Sequence, residues 1–226
     1  MERLRDPRER AERATRILDV AAGLLLRHGY RRVTIDDVAA GAGIGKGTVY
    51  LHWKTREQLF GAVFTREVCF AIDELRQAIE EEPRTCLLHR FARAYLLAIV
   101  RRPLLRGFLL ADAELVGKLT TGLDDRHATM ARRYFELLAE HGVLRDDTDL
   151  DEVAFAYQAT FEGFLRATDD AWEQRADLLA RTVRRAFERD AEPHDAELGE
   201  LAAATAAVLT ALVEADLADC GVTKDA

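Results

Sequence analysis

The chain has 226 residues, 49% of them apolar, and a formal net charge of −8, which leaves room for one sizeable domain or two modest ones and excludes global disorder. No run of about 18 or more apolar residues occurs, which at this stage excludes a membrane span, and the charged N-terminus MERLRDPRERAERATR lacks the apolar stretch that would direct export. A cytoplasmic protein is expected, with Cys69, Cys86 and Cys220 too far apart for a CxxC pair and read as reduced thiols.

Residues 13–28 place Ile17, Ala21, Leu24, Leu25 and His28 on one helical face and stop at Gly29. Around their start lie Arg3, Arg5, Arg8, Arg10 and Arg13, read either as a solvated tail or as a groove-tracking arm. Thr34, with Asp37 three residues on, is a capping-box start for a short helix through Val38, Ala39 and Ala42. Gly43 then supplies the backbone freedom of a tight turn. In the next segment Val49 and Trp53 lie four apart and share a helix face, while Lys46, Gly47 and Tyr50 lie opposite. One face packs, and the other combines a cation, bare backbone and a phenol. This is the layout of a helix-turn-helix whose second helix enters the DNA major groove.

Thr55 with Gln58 opens a long helix over 56–81, striped by Leu59, Phe60, Val63, Phe64, Ala71, Ile72, Leu75 and Ile79 and closed by Pro83. Further helical patterns cover 85–101, 104–120, 124–141, 149–167 (opened by Thr148 with Asp151), 171–189 and an Ala-rich segment, 196–219. No alternating strand pattern and no internal repeat occur, so the expected fold class is all-α, with about ten helices. Charge is unevenly distributed. Residues 1–56 hold 12 Lys/Arg against 7 Asp/Glu, whereas 57–226 hold 20 against 33. A basic head on an acidic body fits a protein of which only the head meets phosphates.

The head resembles the N-terminal domain of the TetR family of bacterial transcription regulators. The matching residues are Thr34, Val38-Ala39, Ala42-Gly43-Ile44, Lys46-Gly47-Thr48-Val49-Tyr50, His52-Trp53-Lys54-Thr55-Arg56 and Leu59, within a span of 13–60. By their chemistry Lys46 and Thr48 suit base edges or phosphates, and Gly47 permits close approach of the backbone. Thr34 sits where free helix N–H groups suit a phosphate. The resemblance implies phosphate contacts for Tyr50 and His52 and a backbone grip for Arg56, assisted by Lys54. Two readings stay open beside it: Tyr50 as a partly buried aromatic, and His52 as a core histidine. A metal role for His52 lacks a second ligand at i+3 or i+4. The sequence departs from the family pattern at Gly45, which leaves the recognition helix without a side-chain cap, and at Trp53, which stands where Phe is commoner.

The resemblance further implies a DNA-binding domain over 1–56 and a ligand-binding and dimerisation domain over 57–226, with 196–219 an additional C-terminal helix. It puts a homodimer interface on helices 149–167 and 171–189. Ala154, Ala156, Ala159, Gly163 and Ala167 allow close approach there, and Phe155, Phe161, Phe164 and Phe187 offer area. A pocket for an unknown small-molecule effector is expected among Phe64, Phe91, Tyr95, Phe108, Tyr134, Tyr157 and Phe161, each of which by pattern is equally a core filler. Glu114, Gln158 and Glu162 fall among apolar neighbours, either orienting a ligand or facing solvent.

The expected function is a repressor that binds a palindromic operator in double-stranded DNA and is released by a ligand. The alternative is a ligand-independent or partner-controlled regulator, or an activator. Neither an enzyme, a cofactor, a metal site nor a membrane partner is expected, because no HExxH, GxSxG, P-loop or paired-carboxylate pattern occurs.

Overall fold

A computed structural model describes residues 7–111, 123–146, 149–168, 170–191 and 193–220. Among the described residues there are ten α-helices. They are α1 (Pro7–His28), α2 (Ile35–Gly41), α3 (Lys46–His52), α4 (Arg56–Glu81), α5 (Leu88–Val100), α6 (Pro103–Leu109), α7 (Leu123–Glu140), α8 (Leu150–Leu165), α9 (Trp172–Phe187) and α10 (Asp195–Cys220). A 3-10 turn, Pro83–Cys86, leads into α5. Two compact units result: Met1–Cys69 with Pro103–Thr121 and Glu214–Ala226, and Phe70–Arg102 with Gly122–Val213. One of the places where the chain passes between these units falls inside α4.

The first unit forms around α1, which buries Ala14, Ile17, Leu18, Ala21 and Leu25 at three- and four-residue intervals. Burial of each large apolar side chain contributes roughly 1.5–3 kcal/mol. Gly41 permits α1 and α2 to approach closely, since a Cβ there would lie 2.6 Å from Val20 Cγ1. Gly43, at φ 66°, ends α2. Its N–H donates to Ala40 O at 3.2 Å and that of Ile44 donates to Ala39 O at 3.0 Å, the paired bonds that satisfy the carbonyls of a helix end. On α4, Leu59, Phe60 and Val63 are fully buried. Arg66, itself buried, reaches Asp19 Oδ1 of α1 at 2.8 Å.

In the second unit α5 packs chiefly against α9. Leu87 precedes α5 without giving it a side-chain cap. Glu188, just past the end of α9, supplies one. Its Oε1 accepts from the His89 N–H at 2.7 Å, and its Oε2 lies 2.6 Å from His89 Nδ1. Both side chains are buried, so the carboxylate stabilises an otherwise orphaned donor at a helix start. The same stretch forms an isolated antiparallel bridge, Leu144 to Glu188. The Tyr134 hydroxyl of α7 donates to Cys86 O at 2.7 Å, joining the 3-10 turn to α7. Cys69 and Cys86 are buried and not joined in a disulfide, and burial pushes the Cys86 thiol up to about 12.

Several expected boundaries move. The first helix begins at Pro7 and not at 13, so Arg8, Arg10 and Arg13 are helical; Arg3 and Arg5 lie outside the described residues. The pattern over 104–120 is helical over Pro103–Leu109, and most of its remainder, including Glu114, lies outside the described residues, as does Thr148. Asp149 is the residue that caps α8, accepting from the N–H groups of Asp151 and Glu152. Thr55 caps the Gln58 N–H at 3.1 Å, yet the Gln58 side chain reaches back to Lys54 and not to Thr55.

Helix α10 is the element that bears on membrane crossing, although no unbroken apolar run of 18 residues occurs in it. Asp195–Asp219, with mean hydropathy 1.6, is long and apolar enough to cross a membrane by length and composition alone. Its hydropathy derives from leucine and valine set among many alanines. Leu198, Leu201, Thr205, Leu209, Leu212 and Asp216 form a buried stripe at helical spacing, as in a packed helix.

Candidate nucleic-acid interface and body cavity

Helix α3 is only seven residues long, so its position depends on its buried face. Val49 is fully buried, and Trp53, at the helix end, is 6% exposed and stacks on His52 with ring centroids 5.3 Å apart. Lys46, Gly47, Tyr50 and Leu51 are exposed, and Thr48 is half-exposed. Nothing lies within 4 Å of where a Gly47 Cβ would stand, so the fold itself does not require glycine there. Gly45 precedes α3 with no side-chain cap, leaving the first backbone donors of the helix facing outward.

The neighbouring candidates are held by defined partners. Thr34 and Asp37 form the full capping box, with Asp37 accepting from the Thr34 N–H at 2.8 Å and donating its own N–H to Thr34 Oγ1 at 3.2 Å. The Thr34 hydroxyl and N–H together hold the Asp37 carboxyl below its usual range. Lys46 Nζ donates to Asp36 Oδ2 at 2.8 Å, and this bond raises the lysine's pKa. Lys46 is thus aimed across the α2–α3 surface. Lys54 Nζ donates to Tyr50 O at 3.1 Å, leaving its charge at the exposed end of α3.

Arg56 faces inward. Its Nε donates to Val33 O at 2.9 Å and its Nη2 donates to Tyr30 O. The guanidinium carbon lies 4.1 Å from the Tyr30 ring centroid and 4.9 Å from that of Phe60. It therefore ties the turn after α1 to the start of α4. His52 is half-buried, and its Nε2 is buried without a hydrogen-bond partner among the described residues. Burial first, then the charges of Arg10 and Arg13, lower its pKa below the ordinary 6.5, so the ring is neutral at neutral pH. That coupling brings Arg10 and Arg13 into electrostatic range of α3. Sequence patterning missed this, because Ala11 and Ala14 give a weak apolar signal. It also missed Leu51, 53% exposed; its place four residues after Gly47 puts it on the same face.

The second unit contains a partly open cavity of ≈ 220 Å³. Phe91, Tyr95, Tyr134, Tyr157 and Phe161 line it, as does Gln158. Phe64 and Phe108 do not. They meet edge to face in the first unit, centroids 5.4 Å apart. Glu162 is exposed and accepts from the Gln158 amide at 3.0 Å.

On α8, Phe155 is 77% exposed and shares a face with the exposed Ala159 and Gly163. On α9, Leu178 is 45% exposed. Of the four phenylalanines expected to supply area between chains, Phe161 and Phe187 are core residues and Phe164 is half-buried; Phe155 alone stands at the surface.

Residues 17–63 match the sequence profile of bacterial regulatory proteins of the tetR family. An uncharacterized HTH-type transcriptional regulator of Mycobacterium tuberculosis is 44% identical over 59 residues, a match covering 26% of this chain and only 29% of that relative. An HTH-type transcriptional repressor of the same organism is 31% identical over 202 residues, covering 85% of this chain and 96% of its own. Among solved structures, SmeT, the repressor of a Stenotrophomonas maltophilia multidrug efflux pump, superposes with a TM-score of 0.61 at 21% identity, over 80% of this chain and 94% of its own. NalD, a secondary repressor of a Pseudomonas aeruginosa efflux pump, superposes with a TM-score of 0.62 at 18% identity, over 81% and 100%. At these identities the two structures show a shared fold.

Proposed function

The chain belongs to the TetR family of bacterial regulatory proteins, a family of transcriptional regulators, and from that premise we propose that it is a repressor whose homodimer binds a palindromic operator and is released by a small molecule. The observation that carries this reading is the division of α3, with Val49 packed inward while Lys46, Gly47, Thr48 and Tyr50 are left outside. In this reading residues 1–56 meet DNA and residues 57–226 bind ligand and pair the chains. Lys46, Thr48, Tyr50 and Leu51 enter the major groove. Thr34, Lys54 and the helical Arg10 and Arg13 meet phosphates, positioning contacts that carry no sequence information. Arg56 supports the surface from within.

Pairing through α8 and α9 explains the exposed Phe155, because contiguous exposed apolar surface commonly marks a protein interface. Two-fold symmetry then doubles the contacts, with half-sites one helical turn, about 34–36 Å, apart. The cavity in the second unit is the effector site. Helix α4 has residues in both compact units, so a ligand preferring one arrangement of this helix changes the spacing of the two α3 helices. It can shift DNA affinity only by its differential affinity for the two arrangements, typically ~1–3 kcal/mol. A structure of SmeT holds triclosan and one of RolR holds resorcinol, which supports an effector site in this fold.

The test is DNA binding by the wild type, Lys46→Ala and Tyr50→Ala across a salt series. Tyr50→Ala is expected to lose specific binding while keeping native helicity. Lys46→Ala, which removes another groove contact, is expected to do the same. Wild-type affinities in both variants would refute the interface.

A further inference from the structure

The walls of the cavity restrict what it can hold. Phe91 stacks on Tyr134 with centroids 4.4 Å apart, Tyr95 stacks on Phe161 at 5.4 Å, and Phe135 meets Tyr157 edge-on at 5.6 Å. Among the described residues, none that lines the cavity carries a formal charge. An ion entering it would lose its hydration without gaining a counter-charge. Two of the polar groups are already engaged: the Tyr134 hydroxyl donates to Cys86 O and the Gln158 amide donates to Glu162. The Tyr157 hydroxyl differs. It is buried and has no hydrogen-bond partner among the described residues, a costly state that a native protein relieves with water or a ligand. Burial pushes the Tyr95 hydroxyl up to about 12 and raises that of Tyr157 further, with Tyr95 adding to the effect. Both are therefore neutral donors at physiological pH.

Resting on the effector site argued above, we propose that the occupant is an uncharged aromatic molecule of one or two fused rings, bearing a single hydroxyl or carbonyl that pairs with Tyr157 Oη. The size agrees. An apolar cavity of about 150 Å³ accepts benzene, and this one, at ≈ 220 Å³, is roughly half as large again. The flanking rings offer offset-stacked and edge-on neighbours to a planar guest, and Ala131 and Ala154 on the wall leave the space open.

Equilibrium dialysis of 2-naphthol, naphthalene and 2-naphthoate against the full chain tests this, using the wild type, Tyr157→Phe, and the cavity-filling variants Ala154→Leu and Ala131→Leu. The wild type is expected to bind 2-naphthol, with 2-naphthoate at least tenfold weaker. Tyr157→Phe keeps the ring and is expected to cost 2-naphthol about five- to tenfold, the worth of one hydrogen bond, and to leave naphthalene unchanged. Either cavity-filling variant that remains folded by circular dichroism is expected to lose all three probes. Failure of 2-naphthol to bind the wild type overturns the proposed class. So does equal binding of 2-naphthoate, or a 2-naphthol to naphthalene ratio unaltered in Tyr157→Phe. In the last two cases, loss of binding in the filled variants leaves the cavity itself standing as the effector site. Undiminished binding in the folded, filled variants overturns both readings.

Discussion

His52 ends the recognition helix as a neutral ring between Trp53 and the charges of Arg10 and Arg13. Its folded pKa lies below the value it regains on unfolding, so the unfolded chain takes up a proton more readily. The stability this ring contributes is complete above about pH 6.5 and is lost as pH falls through the folded value. Urea unfolding at pH 7.5 and 5.5 is expected to show a larger loss on acidification for the wild type than for His52→Gln; parallel losses would contradict it. The exposed face of α3 was legible in the sequence, because Lys46, Gly47 and Tyr50 fall opposite Val49 by spacing alone. What each side chain touches was not. The bond from Lys46 to Asp36 and the burial of His52 Nε2 depend on how α1, α2 and α3 meet, and periodicity describes one helix at a time.

Between elements, Arg56 shows how a residue that a motif assigns to DNA has a structural duty within the fold. Two backbone carbonyls and two aromatic rings surround its guanidinium. Arg56→Ala is expected to destabilise the protein by about 1–3 kcal/mol through lost charge-assisted and cation–π contacts, as well as weakening DNA binding. Unchanged chemical-denaturation midpoints, with DNA affinity alone reduced, would leave it a phosphate contact only. Helix caps divide along similar lines. Thr34 with Asp37 was readable because both partners lie within four residues, and so was the missing cap at Gly45. The cap that Glu188 gives α5 joins residues 99 apart in sequence, and no local pattern reports it. The early start of α1 had a usable signal, since proline is favoured at a first helical position, but the alanines that follow gave its apolar stripe little weight.

Across the whole molecule, the family and the all-α architecture follow from the head motif and the helical periodicity, both written locally. The division of the seven expected pocket aromatics was not: five line the cavity, while Phe64 and Phe108 pack together in the other unit. Spacing identifies an inward-facing ring without saying which interior it enters. The exposed Phe155 gives the account its most direct test, because a groove-reading α3 is specific only when presented twice. Equilibrium binding is measured on the tightest duplex recovered from a randomised pool, and on the same duplex with its half-sites moved five base pairs apart. The wild type and Phe155→Arg are compared at physiological ionic strength. Two wild-type chains are expected on the original duplex, at least about 10³-fold tighter than on random sequence, with most of that advantage lost on the shifted duplex and in Phe155→Arg, which should be monomeric. Equal affinity for original, shifted and random duplexes, or a monomeric wild type that binds as tightly, would contradict it.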